Sequence, residues 1–424
     1  MKVFFDTIGC RLNQSEVEKM AGSFSAAGHE IISSSASADL VIVNTCAVTN
    51  NAVADSRQSI KRSSRSGNAK IVVTGCWATL EPDALMDLAG VVEVIPNARK
   101  SVLTAAVLGL GDHLDGQTSG RKPLPGQKMR TRAFIKAQDG CNNGCTFCVT
   151  RVARGRSISS PVKDILDDIQ FAVGTGVKEV VLTGVNLGSW GRDFDHPSSL
   201  KGLINTVLAE TDIVRLRLSS LEPWDLDEGF FELWENPRLC RHLHLSLQSG
   251  CDRTLECMQR RGDTHEYRSV VSGARQVAPL IAVTTDIIVG FPGESESDFE
   301  VSCQFIEEMG FAGGHVFSFS PRQHTPAFDF SDQVHPIEKK RRSKIVKALF
   351  NRLQQRYSEQ FLDQSLQVLW ESTKTSDEIS WQLSGLSDNY LRIRSESNSN
   401  LWNEISVVKL THSDNLGMQG LIIP

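Results

Sequence analysis

No stretch of the 424-residue chain approaches the apolar length of a membrane-spanning helix, which takes about 18 consecutive residues or more. The opening Met-Lys-Val-Phe-Phe-Asp-Thr meets an aspartate too early for the apolar core of a secretory leader, so a cytoplasmic location is expected. No internal repeat and no low-complexity segment is present. Positive charge is not in excess: the net charge is −5, so any contact with RNA has to come from local basic patches. What remains is ordinary for a water-soluble globular protein, 40% hydrophobic and 22% charged, and long enough for two or three domains with full cores. Ten cysteines without a leader read as metal or redox ligands in a reducing compartment, not as disulfides.

The first hundred residues alternate short apolar runs with helical patterns. Val3-Phe4-Phe5, Leu40–Val43, Ile71–Val73 and Val91–Ile95 read as buried strands of a parallel sheet. Gln14–Phe24 and Ala52–Arg65 carry helical patterns between them. That alternation predicts a doubly wound parallel α/β domain over 1–112. Residues from 113 to 129 are rich in Gly, Pro and polar side chains and read as a linker. A second α/β series follows, with strands at Ala133–Ala137, Glu179–Leu182, Val214–Leu218, His242–Leu247, Ala282–Val289 and His315–Phe319. Six strands spaced by helical lengths predict an open (β/α)6 barrel over 130–365, with its chemistry at the carboxyl ends of the strands. Ile337–Gln364 reads as a charged helix, and the short runs of 366–424, split by Gly, Ser, Asn and Asp, as a small all-β module.

Cys141-Asn142-Asn143-Gly144-Cys145-Thr146-Phe147-Cys148 offers three thiolates at the spacing of three corners of an iron–sulfur cluster. A four-iron cluster takes four ligands, so one iron would be left for a group that is not the protein, as an open position marks a catalytic metal site. Zinc and three core thiols are the competing readings, although structural zinc favours four ligands in paired C-x-x-C units. Cys10, Cys46 and Cys76 stand three to five residues beyond predicted strands. Each alone reads as a small buried hydrophobe. All three at equivalent strand ends can converge on one edge of a parallel sheet, where doubly wound folds bind ligands. That set again holds three ligands. Cys240, Cys251, Cys257 and Cys303 show no ligand spacing and default to core or partly exposed thiols.

The C-x-x-x-C-x-aromatic-C pattern resembles the radical S-adenosylmethionine (SAM) superfamily, Phe147 included. With the three-cysteine domain before it and the β module after it, the chain resembles the methylthiotransferases along nearly its whole length. Gly9-Cys10-Arg11-Leu12-Asn13, Asn44-Thr45-Cys46, Val73–Cys76, Arg154-Gly155-Arg156, Thr183–Gly188, His242–Gly250, Asp286–Glu294, His315–Arg322 and Thr325-Pro326-Ala327 carry that likeness. It implies two [4Fe–4S] clusters, an auxiliary one on Cys10, Cys46 and Cys76 and a SAM-cleaving one on Cys141, Cys145 and Cys148. One SAM would methylate a sulfide on the first, and a second would be cleaved at the other to a 5′-deoxyadenosyl radical. It further implies SAM contacts from Phe147, Gly184, Asn186, Ser219, Gln248, Ser249 and Asp286. Read singly, Phe147 is equally well a core aromatic, and each polar member a satisfied structural group.

Among methylthiotransferases, Gly9–Glu16 and Thr45–Thr49 are most similar to the group acting on N6-threonylcarbamoyladenosine beside the tRNA anticodon. The Pro-Lys that follows the first cysteine in enzymes acting on a ribosomal protein is absent, and Val48-Thr49 replaces the Val-Arg of the isopentenyladenosine group. The resemblance implies the tRNA anticodon stem-loop and a one-electron reductant such as flavodoxin or ferredoxin as partners, and a monomer. Two departures stand out. Val149-Thr150-Arg151-Val152 replaces the usual Pro-Tyr-like pair, and the carboxy-terminal module is only loosely similar to the RNA-binding β-barrel called TRAM. That module carries four Lys/Arg against seven Asp/Glu, a poor phosphate binder, and leaves Trp381, Tyr390 and Trp402 as base-stacking candidates. Phosphate contacts are expected from Lys61, Arg62 and Arg65, from Arg154 and Arg156, from Arg260 and Arg261, and from Lys339–Arg342 with Lys344. An iron–sulfur scaffold or redox sensor that binds RNA without chemistry is the reading from another class.

Overall fold

The computed structural model describes residues 1–109, 121–122, 124, 131–226, 228–375, 380–414 and 416–423. Its first sheet contains β1 (Lys2–Thr7), β2 (Glu30–Ile32), β3 (Leu40–Thr45), β4 (Lys70–Gly75) and β5 (Val91–Pro96), all parallel, in the order β2-β1-β3-β4-β5. Alternate residues of β3 face opposite ways, as strand periodicity requires. Leu40 and Ile42 pack with Val17 and Phe24 of helix α1 (Arg11–Ala26). Val41 and Val43 pack with Ile60 of α2 (Asn50–Ser66) and Trp77 of α3 (Cys76–Leu80). The sheet is thus covered on both faces, which is why its strands read as continuous apolar runs. Short helices α4 (Pro82–Met86) and α5 (Leu103–Leu108) complete this layer. The three-residue edge strand β2 is too short to show in the sequence pattern.

Most of the linker expected over 113–129 lies outside the described residues. Within it, Arg121 is buried and donates to the Glu18 carboxylate at 2.5 Å and to the Phe134 carbonyl at 2.6 Å. Leu124 joins the core of α1.

The second series runs through β6 (Arg132–Lys136), the short antiparallel pair β7 (Gln138–Asp139) and β8 (Ile158–Ser159), β9 (Glu179–Thr183), β10 (Arg215–Leu218), β11 (Ser220–Leu221), β12 (His242–Leu245), β13 (Ala282–Val289) and β14 (Gly313–Ser318). Parallel order is β10-β9-β6 in one sheet and β11-β12-β13-β14 in the next. Ser219 alone separates β10 from β11, so six strand positions form one curved wall. Helices α6 (Val149–Arg154), α7 (Val162–Gly174), α8 (Leu200–Glu210), α9 (Asp252–Cys257), α10 (Thr264–Val277) and α11 (Glu296–Met309) connect them. No pairing joins β6 to β14 among the described residues, so the barrel is open, with α1 packed on β6 and α12 (Pro336–Glu359) on β14.

The chain ends in a closed barrel of β15 (Ser365–Thr375), β16 (Trp381–Ser387), β17 (Arg392–Ser397), β18 (Ile405–Asp414) and β19 (Gly417–Ile423), ordered β15-β16-β17-β19-β18. Alternate residues Leu366, Val368 and Trp370 fill its core. Its β16–β17 corner is plugged into the open barrel. Arg217 donates to the carbonyls of Ser387 and Asp388, and Arg215 to that of Leu386, while Arg241 holds the Asp388 carboxylate at 2.6 and 3.1 Å. Tyr390 was expected as a base-stacking surface and is instead an internal anchor. Its ring stacks on His242 at 4.0 Å and its hydroxyl accepts from Arg11 at 2.9 Å. Trp381 is partly buried against the small barrel's own core. No described helix is long and apolar enough to cross a membrane.

Candidate active site with two sets of three cysteines

Cys10, Cys46 and Cys76 follow β1, β3 and β4, which are neighbours in a parallel sheet, so their thiols share one carboxyl edge. Cys10 caps α1, Cys46 directly follows β3, and Cys76 opens α3. Glycine makes this closeness possible. Gly9 (φ +101°) lies where a Cβ would come within 2.6 Å of the Cys46 Cβ, and Gly75 (φ +103°) where one would come within 2.3 Å of the Thr45 carbonyl oxygen. Only glycine meets both the backbone angle and the space. Cys10 is open to solvent, and Cys46 and Cys76 are buried. Burial pushes the Cys46 thiol up to about 11.

A buried polar knot joins this edge to the open barrel. Asn13 donates to the Ile8 and Thr45 carbonyls and accepts from Arg154 at 2.5 Å. Arg154 also reaches Glu16 at 3.0 Å and both oxygens of Asp139 at 2.9 and 3.1 Å, while Lys100 and Lys136 hold Glu16 at 2.9 and 3.3 Å. Burial alone would raise Glu16, but these three cations hold it well below the usual carboxylate range. The expectation that Arg154 meets RNA phosphate is therefore corrected: its side chain is 2% exposed and already neutralised by carboxylates.

The second set lies in the loop between β7 and α6, and Cys148 is the residue that caps α6. Gly140 (φ +64°) abuts the Arg156 carbonyl, where a Cβ would approach to 1.9 Å, and the Cys141 N–H donates to the Gly155 carbonyl. The start of the loop is thereby pinned just beyond the last residue of α6, while its end, Cys148, caps the first turn. The Arg260 guanidinium stands 3.8 Å from the Cys145 sulfur and forms a fork with Glu222 at 3.1 and 2.6 Å. Arg260 is thus also corrected from phosphate contact to an internal counter-charge of the thiol loop, a role with no signature in sequence. Burial pushes Cys141 up to about 11 and raises Cys145, with Arg260 opposing the rise at Cys145. At its other end α6 meets the first set. Asn97 donates to the Ala153 carbonyl at 2.8 Å and lies 3.7 Å from the Cys76 sulfur. The six-residue α6 therefore has Cys148 at its start and Cys76 beside its end, with Cys141 bonded to Gly155 just beyond it.

The remaining expected residues lie in the open barrel, apart from Phe147 in the thiol loop. Phe147 meets Phe291 edge-on at 6.4 Å and packs with Met258, Phe319 and Ala327. Gly184 donates to Ser219 Oγ at 3.2 Å and leaves Gln138 too close for a side chain. Asn186 donates its backbone N–H to Gln138, and its buried Oδ1 has no hydrogen-bond partner among the described residues. Gln248 has a φ of +71°, a conformation costing about 1–2 kcal/mol for a non-glycine residue. Its N–H bonds the Asp286 carbonyl and its carbonyl accepts from Ile288, fixing it against β13. Ser249 is buried and accepts from the Cys251 N–H.

Asp286 is held by two histidines, His315 at 3.1 Å and His244 at 3.3 Å. Burial would raise its carboxyl, but the two imidazoles hold it below the usual range, and Asp286 in turn pushes His315 above the ordinary imidazole value. The raised histidine stabilises fully below its unfolded pKa and loses that contribution as pH rises through its folded one. The depressed aspartate stabilises above its own unfolded pKa. The pair therefore acts between roughly pH 4 and roughly pH 6.5 and fades above. His315 is two-thirds exposed, so H315Q is expected to cost under about 1 kcal/mol in that window. Thermal melts near pH 5.5 and near pH 9 check this; an equal deficit at both would remove the charge from the explanation.

Among the described residues, no three Cys, His, Asp or Glu side chains converge closely enough to hold one metal ion. A four-iron cluster takes each thiolate at a separate iron. The donor sets fit that group: three thiols each, glycines where side chains would intrude, and Arg260 beside Cys145. The unpartnered Asn143 Nδ2 and Asn186 Oδ1 leave polar valences for a ligand next to the second set.

The chain matches the uncharacterized protein family UPF0004 over residues 2–96 and the radical SAM superfamily over 135–306. It is 35% identical to the threonylcarbamoyladenosine tRNA methylthiotransferase MtaB of Thermotoga maritima, covering 87% of this chain and 86% of that protein. It is 31% identical to MtaB of Bacillus subtilis, over 96% and 93%. It is equally 31% identical to the tRNA-2-methylthio-N(6)-dimethylallyladenosine synthase of Clostridium tetani, over 98% and 95%. Its fold is similar to that of the radical SAM methyltransferase TsrM from Kitasatospora setae solved with tryptophan and a SAM analog, with a TM-score of 0.58 and 16% identity over 77% of this chain and 75% of that one. With identity of 31–35% to these relatives over most of its length, the chain belongs to the radical SAM methylthiotransferase family.

Proposed function

We propose that this enzyme transfers a methylthio group to C2 of N6-threonylcarbamoyladenosine next to the tRNA anticodon. The observation that supports the reading is the pair of three-cysteine sets that meet at α6, Cys148 capping its start and Cys76 linked through Asn97 to Ala153 near its end. In this reading Cys10, Cys46 and Cys76 hold an auxiliary [4Fe–4S] cluster, and Cys141, Cys145 and Cys148 hold the one that meets SAM. When bound, the clusters and two SAM molecules supply a methyl group, a sulfur atom and the one-electron cleavage that opens a C–H bond. The chain's own contribution is placement. Gly9 and Gly75 let the loops close on the first set, Arg260 balances the charge at Cys145, and the Arg154 knot fixes one set against the other. Gly184, Asn186, Ser219, Gln248, Ser249 and Asp286 line the strand ends beside the second set and orient SAM, with Phe147 behind them. Division into an N-terminal domain to 112, a core over 130–365 and a β module from 366 follows the same reading. So do a cytoplasmic monomer and a flavodoxin- or ferredoxin-like reductant.

The choice of nucleoside rests on Gly9–Glu16 and Thr45–Thr49, because overall identity is the same 31% for a relative named for either nucleoside. Mass spectrometry of tRNA nucleosides from cells with and without the gene tests it. Loss of the 2-methylthio form of threonylcarbamoyladenosine on deletion supports the proposal, and loss from the isopentenyl analogue instead refutes the substrate assignment.

For the RNA backbone, α12 offers a groove of about 740 Å³ lined by Lys339, Lys340, Lys344 and Lys347. Arg341 and Arg342, also expected to meet RNA, are engaged by Glu294, Glu296 and Glu338. Replacing Lys340, Lys344 and Lys347 together by alanine is expected to weaken RNA binding and reduce the slope of log affinity against log salt by about 2. An unchanged slope in a fluorescence-anisotropy titration would place the RNA elsewhere.

A further inference from the structure

β14 is the last strand of the open barrel, and its two faces meet different surroundings. Gly314 lies against the Phe350 ring of α12, where a Cβ would come within 2.3 Å. Val316 packs into the core that holds the same ring. Strand side chains alternate, so His315 and Phe317 turn the other way, into the barrel. The register agrees, with His315 beside Asp286 and Phe317 beside Ile288 on β13. A barrel interior is ordinarily filled with branched apolar side chains. Here its middle is a polar ladder. His242 and His244 share the Thr284 hydroxyl at 2.9 Å each, and Asp286 links His244 to His315. Below it, Tyr390 closes the floor by stacking on His242.

Two rings in this wall are left open. The His315 side chain is two-thirds exposed and Phe317 is 41% exposed, large values for residues that face a barrel interior. Asp286 takes Nδ1 of His315 at 3.1 Å. The free ring nitrogen is therefore Nε2, which has no hydrogen-bond partner among the described residues. The carboxylate fixes the ring and favours its charged form, in which Nε2 is a donor. The two rings stand 6.4 Å apart and tilted by 43°. Phe319, two residues on and about 7 Å along the strand, packs edge-on against Phe291, which Phe147 of the thiol loop meets in turn. The open rings thus lie one strand step from the aromatic layer behind the second thiol set.

We propose that Phe317 and His315 seat the substrate adenine, Phe317 offering a face for stacking and His315 Nε2 a hydrogen bond to a ring nitrogen next to C2. An aromatic face and a fixed donor are the features by which proteins hold an unstacked base. This rests on the adenosine reading above and concerns the ring that threonylcarbamoyl and isopentenyl nucleosides share, so it makes no choice between them. The test uses the reconstituted holoenzyme and anticodon stem-loop RNAs that carry, at the target position, the modified adenosine, its 1-deaza or 3-deaza form, or an abasic site. Affinity is read by fluorescence anisotropy for wild type, F317L, H315F and H315Q. Turnover of the adenosine RNA by wild type is read by mass spectrometry.

Wild type is expected to bind the adenosine RNA about tenfold or more tightly than the abasic one. F317L is expected to lose most of that margin while binding the abasic RNA as wild type does, which also shows that the variant is folded. Wild type is expected to separate adenosine from one of the deaza forms by about tenfold, H315F to bind the two alike, and H315Q to keep part of the difference. Variants that weaken the abasic RNA as much as the adenosine RNA overturn the inference, because the two rings would then serve the RNA backbone or the fold. So do variants that keep the wild-type margins. Turnover by a wild type whose affinity ignores the base overturns the seat and leaves the substrate reading standing. Absence of turnover overturns the substrate reading itself, before either residue is changed.

Discussion

C46A is expected to abolish methylthiolation while leaving reductive SAM cleavage largely intact. Cys46 stands at the centre of the first set: β3 lies between β1 and β4 in the sheet, so its thiol is flanked by Cys10 and Cys76. The charges of both neighbours are felt at Cys46, and the Gly9 backbone packs directly against it. Losing one of three ligands leaves a cluster on two, and even outer partners of metal ligands are worth about 10–100-fold. A fall in product beyond about 100-fold is therefore expected. The second set, whose Cys148 caps α6, keeps all three thiols, with Arg260 still at Cys145. The measurement is paired: 5′-deoxyadenosine and methylthiolated RNA from the same reaction, with iron content of the purified variant. Unchanged methylthiolation would dismiss the first set as an auxiliary site. Joint loss of both activities would show that the two sets are one structural unit.

The second large effect is on stability. R217M is expected to lower unfolding free energy by about 3–5 kcal/mol, because it strands a buried carboxylate. Arg217 and Glu179 are both wholly buried, with contacts of 2.7 and 3.1 Å. Burial alone would raise Glu179, and it is chiefly Arg217 that brings it below the ordinary carboxylate value. Arg132 and Arg215, at 4.0 and 3.8 Å, are too distant to replace those hydrogen bonds. The same guanidinium bonds the Ser387 and Asp388 carbonyls and lies over the Tyr390 ring at 5.3 Å. Its loss thus loosens the seat of the C-terminal barrel as well. Replacing the pair together, R217M with E179Q, should recover part of the deficit, since a neutral amide is cheaper to bury. Denaturant midpoints of the three proteins decide this. A single variant within about 0.5 kcal/mol of wild type would mean that the docking seat carries no stability.

How legible the molecule was depended on the range of the interaction concerned. Strands β1, β3, β4 and β5 showed as apolar runs because a sheet covered on both faces needs no polar alternation, whereas β2 is three residues long and offers no pattern. The six cysteines were legible for two different reasons: 141, 145 and 148 through local spacing, and 10, 46 and 76 through their common position after a strand. Nothing comparable distinguished Arg154 and Arg260 from surface cations. A guanidinium becomes internal only when remote segments close round it, as Glu16 and Asn13 do at Arg154 and Glu222 at Arg260. Tyr390 was misread for the same reason: its partners, Arg11 and His242, are 379 and 148 positions away.

The sequence by itself determined the chemistry that is available: three thiolates per set, glycines where loops must close, and a chain of parallel α/β units that puts strand ends on one edge. Those properties are local, because thiol spacing and strand periodicity are properties of the backbone over a few residues. The tertiary structure alone decided which charges serve that chemistry. It turned Arg154 and Arg260 inward and drew Tyr390 from the β module into the barrel. Pairing a charge depends on burial and on partners brought from distant parts of the chain, and both exist only once the chain has folded.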